Sequence, residues 1–181
     1  MSPALIAAAP ADAPPAPSGF EALYRACRDD VYAYVASLLR DAAAAEDVTA
    51  QAFERAFRGR RRWDARRGSE RAWLFGIARN AALDELRRRK RTAGLTADPA
   101  DPAVERLVAA EDDEDAAARR AAVCSALASL TPRERDLVAL RFHGGLSHAE
   151  VARVLGVSES NAQTMLHRTL RKLREACHAT L

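Results

Sequence analysis

Apolar residues recur along this chain every three or four positions, the spacing of one face of an α-helix, with no alternating run of the kind a half-buried strand needs. The first series is Phe20, Leu23, Tyr24, Cys27 and Val31, continued by Tyr34, Val35, Leu38 and Leu39. Asp41 then stands where a second helix needs its cap, and in that helix Phe53 and Phe57 lie one turn apart. A basic, irregular stretch from Arg58 to Ser69 breaks the pattern with Gly59, Asp64 and Gly68. Ser69 is positioned to cap a third helix that runs to Arg91. There Leu74, Ala78 and Ala81 make one apolar stripe with Ile77 at its edge, while Arg79, Asn80, Leu83 and Arg87 point roughly the opposite way.

Beyond Arg91 the periodicity lapses into TAGLTADPADP, with Gly, Pro and Asp where a linker has them, and then the acidic run Glu111 to Asp115. A helix from Ala116 to Leu130 opens a second block. Thr131-Pro132-Arg133-Glu134 reads as a capping box with proline at the first helical position, and Ser147-His148-Ala149-Glu150 as another. Ser158 caps a further helix just after Gly156-Val157. Two helices starting at Ser147 and Ser158 around a short turn have the dimensions of a helix-turn-helix, whose second helix enters the DNA major groove. In that helix Ala162, Leu166, Leu170 and Leu173 form the packing face. Ser160, Thr164, Arg168 and Arg171 then point outward, flanked by Asn161, Gln163 and His167. Asn161 or Gln163 suits the bidentate edge of adenine, and the two arginines suit guanine or phosphates. The expected architecture is all-α, with small helical domains at 19–91 and 116–178, a flexible linker at 92–115 and a disordered tail at 1–18.

Composition changes this picture in a few respects. Of the 181 residues 49% are hydrophobic but only 6% aromatic, so the core is expected to be built from Leu, Val and Ala. The net charge of +3 is modest, but the arginines are concentrated at 58–67 and 87–91. Such a surface binds phosphates through counterion release. Trp63, Trp73 and Phe75 lie among these charges, either as core residues or as stacking partners for unpaired bases. Cys27, Cys124 and Cys177 are far apart and odd in number, which speaks for idle thiols in a reducing cytoplasm rather than a disulfide framework or a zinc site. The prolines of the N-terminal tail break any leader-like run, and no stretch is apolar enough to span a bilayer, so no membrane insertion is expected. His143, His148, His167 and His178 have no metal-like partners at short spacing. No nucleophile–base pair, glycine-rich phosphate loop or carboxylate pair is present; the expectation is a non-enzyme without cofactor or metal.

Both blocks resemble one family. AEDVTAQAFERAFR, the basic loop, WLFGIARNAALDELRRRKR and LTPRERDLVALRFHGGLSHAEVARVLGVSESNAQTMLHRTLRKLRE are similar to extracytoplasmic-function sigma factors of the sigma-70 family, from about Phe20 to Cys177. The resemblance implies a cytoplasmic initiation subunit that binds core RNA polymerase through its β′ and β subunits, recognises promoter DNA, and is held by an anti-sigma factor. It implies polymerase docking by Asp47, Gln51 and Glu54, on one helix face. Here Ala50 stands where many members have Gln, and Gln51 where an acid is common. It implies recognition and opening of the minus-ten element by Arg61, Arg62, Trp63, Arg66, Trp73, Arg79, Asn80, Leu83 and Arg87. Asn80 both donates and accepts, as reading a flipped base requires, with a buried structural Asn the alternative. It implies reading of the minus-thirty-five element by Ser160, Asn161, Gln163, Thr164, His167, Arg168 and Arg171. Ala162-Gln163-Thr164-Met165 replaces the more usual Val-Lys-Ser-Arg, removing positive charge from that surface. The acidic run is either a solvated helix start or, by resemblance, a mimic of the transcript's charge in the polymerase's RNA path. The alternative to the whole reading is a free-standing, LuxR-like helix-turn-helix regulator acting without core polymerase, since such regulators share the LTPRER segment.

Overall fold

The computed structural model describes residues 19–93 and 114–178, and among them there are seven α-helices and no strand. The N-terminal tail and most of the expected linker lie outside the described residues. In the first half, α1 (Gly19–Leu39), α2 (Ala42–Gly59) and α3 (Glu70–Ala93) pack pairwise against one another. Between α2 and α3 the basic stretch winds into two single 3₁₀ turns, Arg60–Arg62 and Ala65–Arg67. The second half consists of α4 (Glu114–Ala128), α5 (Pro132–Phe142), α6 (His148–Leu155) and α7 (Glu159–His178), with α7 touching each of the other three.

The expected start signals operate as hydrogen bonds. Asp41 accepts from the Ala44 N–H at 3.0 Å, and Ser69 from that of Ala72 at 3.1 Å. Both capping boxes close reciprocally, Thr131 with Glu134 and Ser147 with Glu150. Ser158 accepts from Asn161 N–H at 3.2 Å. Gly156 ends α6 in the left-handed region at φ 69°, which a Cβ would strain. The α6–Gly156–α7 unit is the helix-turn-helix the sequence predicts. Arg40 ends α1 in the same region at φ 53°, although it is not glycine.

Two boundaries differ from expectation. α3 runs on through Thr92 to Ala93, and α4 begins at Glu114 rather than Ala116, so both helices extend into the segment read as linker. Arg and Lys are good helix formers with no breaker among them, so α3 continues through its basic end. The larger difference is that the halves are packed together. α1 meets α5 and α3 meets α6, and one apolar core runs through both, from Leu23, Val31 and Phe75 to Leu137, Leu146 and Leu166. Periodicity within each helix identifies a buried stripe but not the partner that buries it. No helix among the described residues is long and apolar enough to cross a membrane.

Candidate nucleic-acid interface

Trp73 and Phe75 are two positions apart on α3 and therefore face opposite ways. Phe75 is fully buried, its ring edge-on to Tyr34 at 5.4 Å, and is core. Trp73 is half-buried and lines an open cavity of about 300 Å³ together with Arg55, Gly59, Arg62, Ile77 and Asn80. That volume lies at the small end of ligand sites, suited to one planar group rather than a large cofactor. Asn80 is exposed at this cavity, which excludes the alternative of a buried structural Asn. Its amide offers donors and an acceptor beside an indole face.

The surrounding charge divides into two classes. Arg61, Arg62 and Arg66 are exposed, and no carboxylate among the described residues pairs with their side chains. The arginines at the end of α3 are partly occupied. Arg87 pairs with Asp84 at 2.9 Å, Arg88 with Glu85 at 2.8 Å, and Arg89 bridges Glu85 and Asp41 at 2.8 and 2.7 Å. Hydrogen bonds from Arg88 and Arg89 hold the Glu85 carboxyl below its usual range against its partial burial. Arg87 is still 69% exposed in its side chain, so its ion pair yields readily to a phosphate. Trp63 is half-buried, and its indole N–H is enclosed without a hydrogen-bond partner among the described residues. Leu83 is half-buried on the same helix.

Arg79 does not point freely outward as expected. Its side chain is only 23% exposed and is tied to Asp136 of α5 at 2.7 Å. Of the minus-ten candidates, Arg62, Trp73 and Asn80 line the cavity, and Leu83 and Arg87 follow Asn80 along α3. Sequence reasoning missed Arg55, Gly59 and Ile77 as cavity wall. Gln51, Arg55 and Gly59 follow one another at four-residue intervals on α2, a signal that would have found the first two.

On α7 all seven outward candidates, Ser160, Asn161, Gln163, Thr164, His167, Arg168 and Arg171, are exposed. Ala162 and Leu166 are buried against the rest of the second half, Leu170 and Leu173 half-buried, and Thr169 joins them, donating to the Met165 carbonyl at 2.9 Å. Arg171 makes only a loose 3.7 Å pair with Glu175 on the surface, so this row presents amides and guanidiniums to any approaching duplex. Asp47, Gln51 and Glu54 lie exposed on one face of α2, where Glu54 accepts from Arg58 at 2.6 Å.

Comparison with known proteins finds a family match in each half of the chain. The model of sigma-70 region 2 matches residues 23–92 and that of sigma-70 region 4 matches residues 126–175. The ECF RNA polymerase sigma factor SigK of Mycobacterium tuberculosis is 30% identical over 164 residues, covering 87% of this chain and 84% of the relative. BldN, an ECF RNA polymerase sigma factor of Streptomyces coelicolor, is 34% identical over 154 residues, covering 85% of this chain and 58% of BldN. Among solved structures, the sigma factor RpoE in complex with the anti-sigma factor NepR from Bartonella quintana shares the fold with a TM-score of 0.68 at 20% identity, covering 87% of this chain and 95% of that one. CnrH in complex with the cytosolic domain of CnrY does so with a TM-score of 0.63 at 23% identity, covering 88% of each chain.

Proposed function

Because the chain belongs to the ECF RNA polymerase sigma factors of the sigma-70 family, we propose that its surfaces divide the work of promoter-specific initiation between them. It is an initiation subunit that directs RNA polymerase to promoters; the free-standing regulator is not favoured. The cavity of the first half takes one unstacked base of the minus-ten element. A flipped base needs a π-face to replace lost stacking and an amide to read its edge, and Trp73 and Asn80 supply these. Arg61, Arg62 and Arg66, together with Arg87, neutralise the phosphates on either side. The outward row of α7 reads the minus-thirty-five element in the major groove, with Gln163 or Asn161 on adenine and Arg168 on guanine or phosphate. Asp47, Gln51 and Glu54 form the face that docks on the β′ subunit, while the second half reaches the β subunit. An anti-sigma protein is the partner expected to hold the factor inactive, as NepR and CnrY accompany the two solved relatives. The chain acts in the cytoplasm and carries out no catalysis of its own.

The single observation that carries this reading is the aromatic-walled cavity with an exposed Asn80 at arginine-rich surroundings, on a chain that also matches both sigma-70 regions. Run-off transcription with core polymerase on fragments of the source genome tests it. New start sites are expected only when the protein is present. Asn80→Ala and Trp73→Ala are expected to keep core binding but to lose permanganate-reactive thymines around the start site, by about tenfold or more for each lost stacking or edge contact. Normal strand opening by both variants would remove the cavity from the mechanism.

A further inference from the structure

The cavity of the first half has one wall residue that neither stacking nor phosphate contact accounts for. Arg55 of α2 lines it opposite α3, whose Trp73, Ile77, Asn80 and Asp84 follow one another at four- and three-residue intervals along one helix face. Asp84 stands one turn beyond Asn80, and its carboxylate pairs with Arg55 at 3.8 Å. One turn further along α2, Gly59 lies against the Trp73 ring instead. The cavity therefore has an aromatic end and a polar end, and Asp84 draws the Arg55 guanidinium to the polar one. We propose that Arg55, positioned by Asp84, selects which base the cavity accepts, favouring one that presents two adjacent hydrogen-bond acceptors. The proposal rests on the cavity taking a single unstacked base.

The balance of donors and acceptors sets this preference. A guanidinium is a planar fork of N–H donors with no acceptor, and the Asn80 amide adds donors and a single carbonyl oxygen. Arg62, the other charged wall residue, also only donates. Guanine offers N7 and O6 side by side, and cytosine offers O2 and N3, so either satisfies both prongs of one fork. Adenine sets an amino donor beside the ring nitrogen of each edge that pairs, and thymine sets N3–H between its carbonyls. Against these two bases one prong of Arg55 meets a donor or goes unpaired, which costs binding.

The ion pair is also shared. Asp84 holds Arg87 at 2.9 Å, closer than it holds Arg55. When a phosphate takes Arg87, the carboxylate is left to Arg55 alone, so arrival of the strand steadies the fork that reads its base. Arg55 and Asp84 are 49% and 57% exposed, and a pair so open yields its donors to a ligand.

A promoter mapped by run-off transcription tests the assignment with intact holoenzyme. Each non-template base of its minus-ten element is changed in turn to the other three, and the rate of open-complex formation is measured. At one position the wild type is expected to open guanine or cytosine promoters about tenfold faster than adenine or thymine ones. A guanine analogue with C–H in place of N7 separates the two sources, because it slows opening only if guanine is the base read. Arg55→Lys keeps the charge but loses the fork, and is expected to flatten the preference to within about twofold at that position. Asp84→Asn is expected to reduce it about threefold there and nowhere else. A merely structural or electrostatic role for Arg55 would slow all four templates alike and leave the preference standing, which would overturn the proposal. An unchanged preference in Asp84→Asn would overturn the positioning. Should Arg55→Lys misfold, Arg55→Gln decides: its amide suits adenine, so the preference is expected to move there, and a retained preference for guanine or cytosine is the contrary result. The underlying reading fails separately, since normal opening by Trp73→Ala and Asn80→Ala would mean that the cavity takes no base at all.

Discussion

Arg40 is the one non-glycine residue among those described that sits in the left-handed region, at φ 53°, where its N–H caps α1 by donating to the Ala36 carbonyl at 2.9 Å. Glycine is the ordinary occupant of such a position, because a Cβ there costs about 1–2 kcal/mol. Arg40→Gly is expected to raise unfolding stability by about 0.5–1 kcal/mol, the relieved strain being offset in part by greater freedom of the unfolded chain. Arg40→Ala keeps the strain and removes the charge, so the two variants measured by urea denaturation separate backbone from electrostatics. A loss of stability in Arg40→Gly would mean that the stem of the side chain packs more than the strain costs. At this scale the sequence was informative about faces and silent about partners. The two-residue offset of Trp73 and Phe75 already implied different environments, whereas nothing local announced that Tyr34 would lend its hydroxyl to a carboxylate 102 positions away. Burial first, and then that carboxylate, push the Tyr34 phenol well above its ordinary range, so it remains a donor at any working pH.

The helices begin where Asp, Ser and Thr stand, and their carboxylate caps are charged partners rather than spacers. Backbone and Arg89 hydrogen bonds hold Asp41 below the usual carboxylate range, and the Thr131 N–H with Lys172 does the same for Glu134. Burial opposes the effect at Glu150, but hydrogen bonds from Ser69 and Ser147 still leave it low. A carboxyl depressed in the folded state contributes stability that is complete above its unfolded value, about 3.9 for Asp and 4.3 for Glu, and that is lost as pH falls through the folded value. Denaturation midpoints are therefore expected to stay flat, as far as these caps are concerned, from pH 7 to about 5 and to fall below about 4. Stability rising on acidification would contradict the role of the caps. These elements were the most readable part of the chain because each cap, proline and glycine acts within four residues of itself. The overrun of α3 into Thr92 and Ala93 was less readable, since a helix without a breaker stops where its packing stops.

Across the whole molecule the α7 row proposed to read DNA and the α2 face proposed to dock on polymerase lie on different helices, so their failures are expected to separate. Arg168→Ala should weaken promoter binding by about 1–3 kcal/mol at the position it reads while leaving association with core polymerase intact. Asp47→Arg should weaken core association at least tenfold, about 1.4 kcal/mol, as measured by competition for core polymerase. Loss of both activities in either variant would mean that one surface serves both ends. The exposure of the outward row of α7 and of the Asp47–Glu54 face of α2 was legible in the sequence. The packing of one half on the other was not. Arg79 and Asp136 each look like ordinary helix-surface residues in their own segments, and only the three-dimensional meeting of α3 with α5 turns them into a buried pair.

That pair also has an order in time. Its members are 57 residues apart in the chain, and synthesis proceeds at about 5–20 residues per second, so Arg79 leaves the ribosome about 3–11 s before Asp136. During that interval the first half has to stand on the α1–α2–α3 core alone, with Tyr34 lacking its acceptor. Every newly made molecule thus passes through a stage in which the Arg79 guanidinium is unpaired because the carboxylate that will hold it does not yet exist.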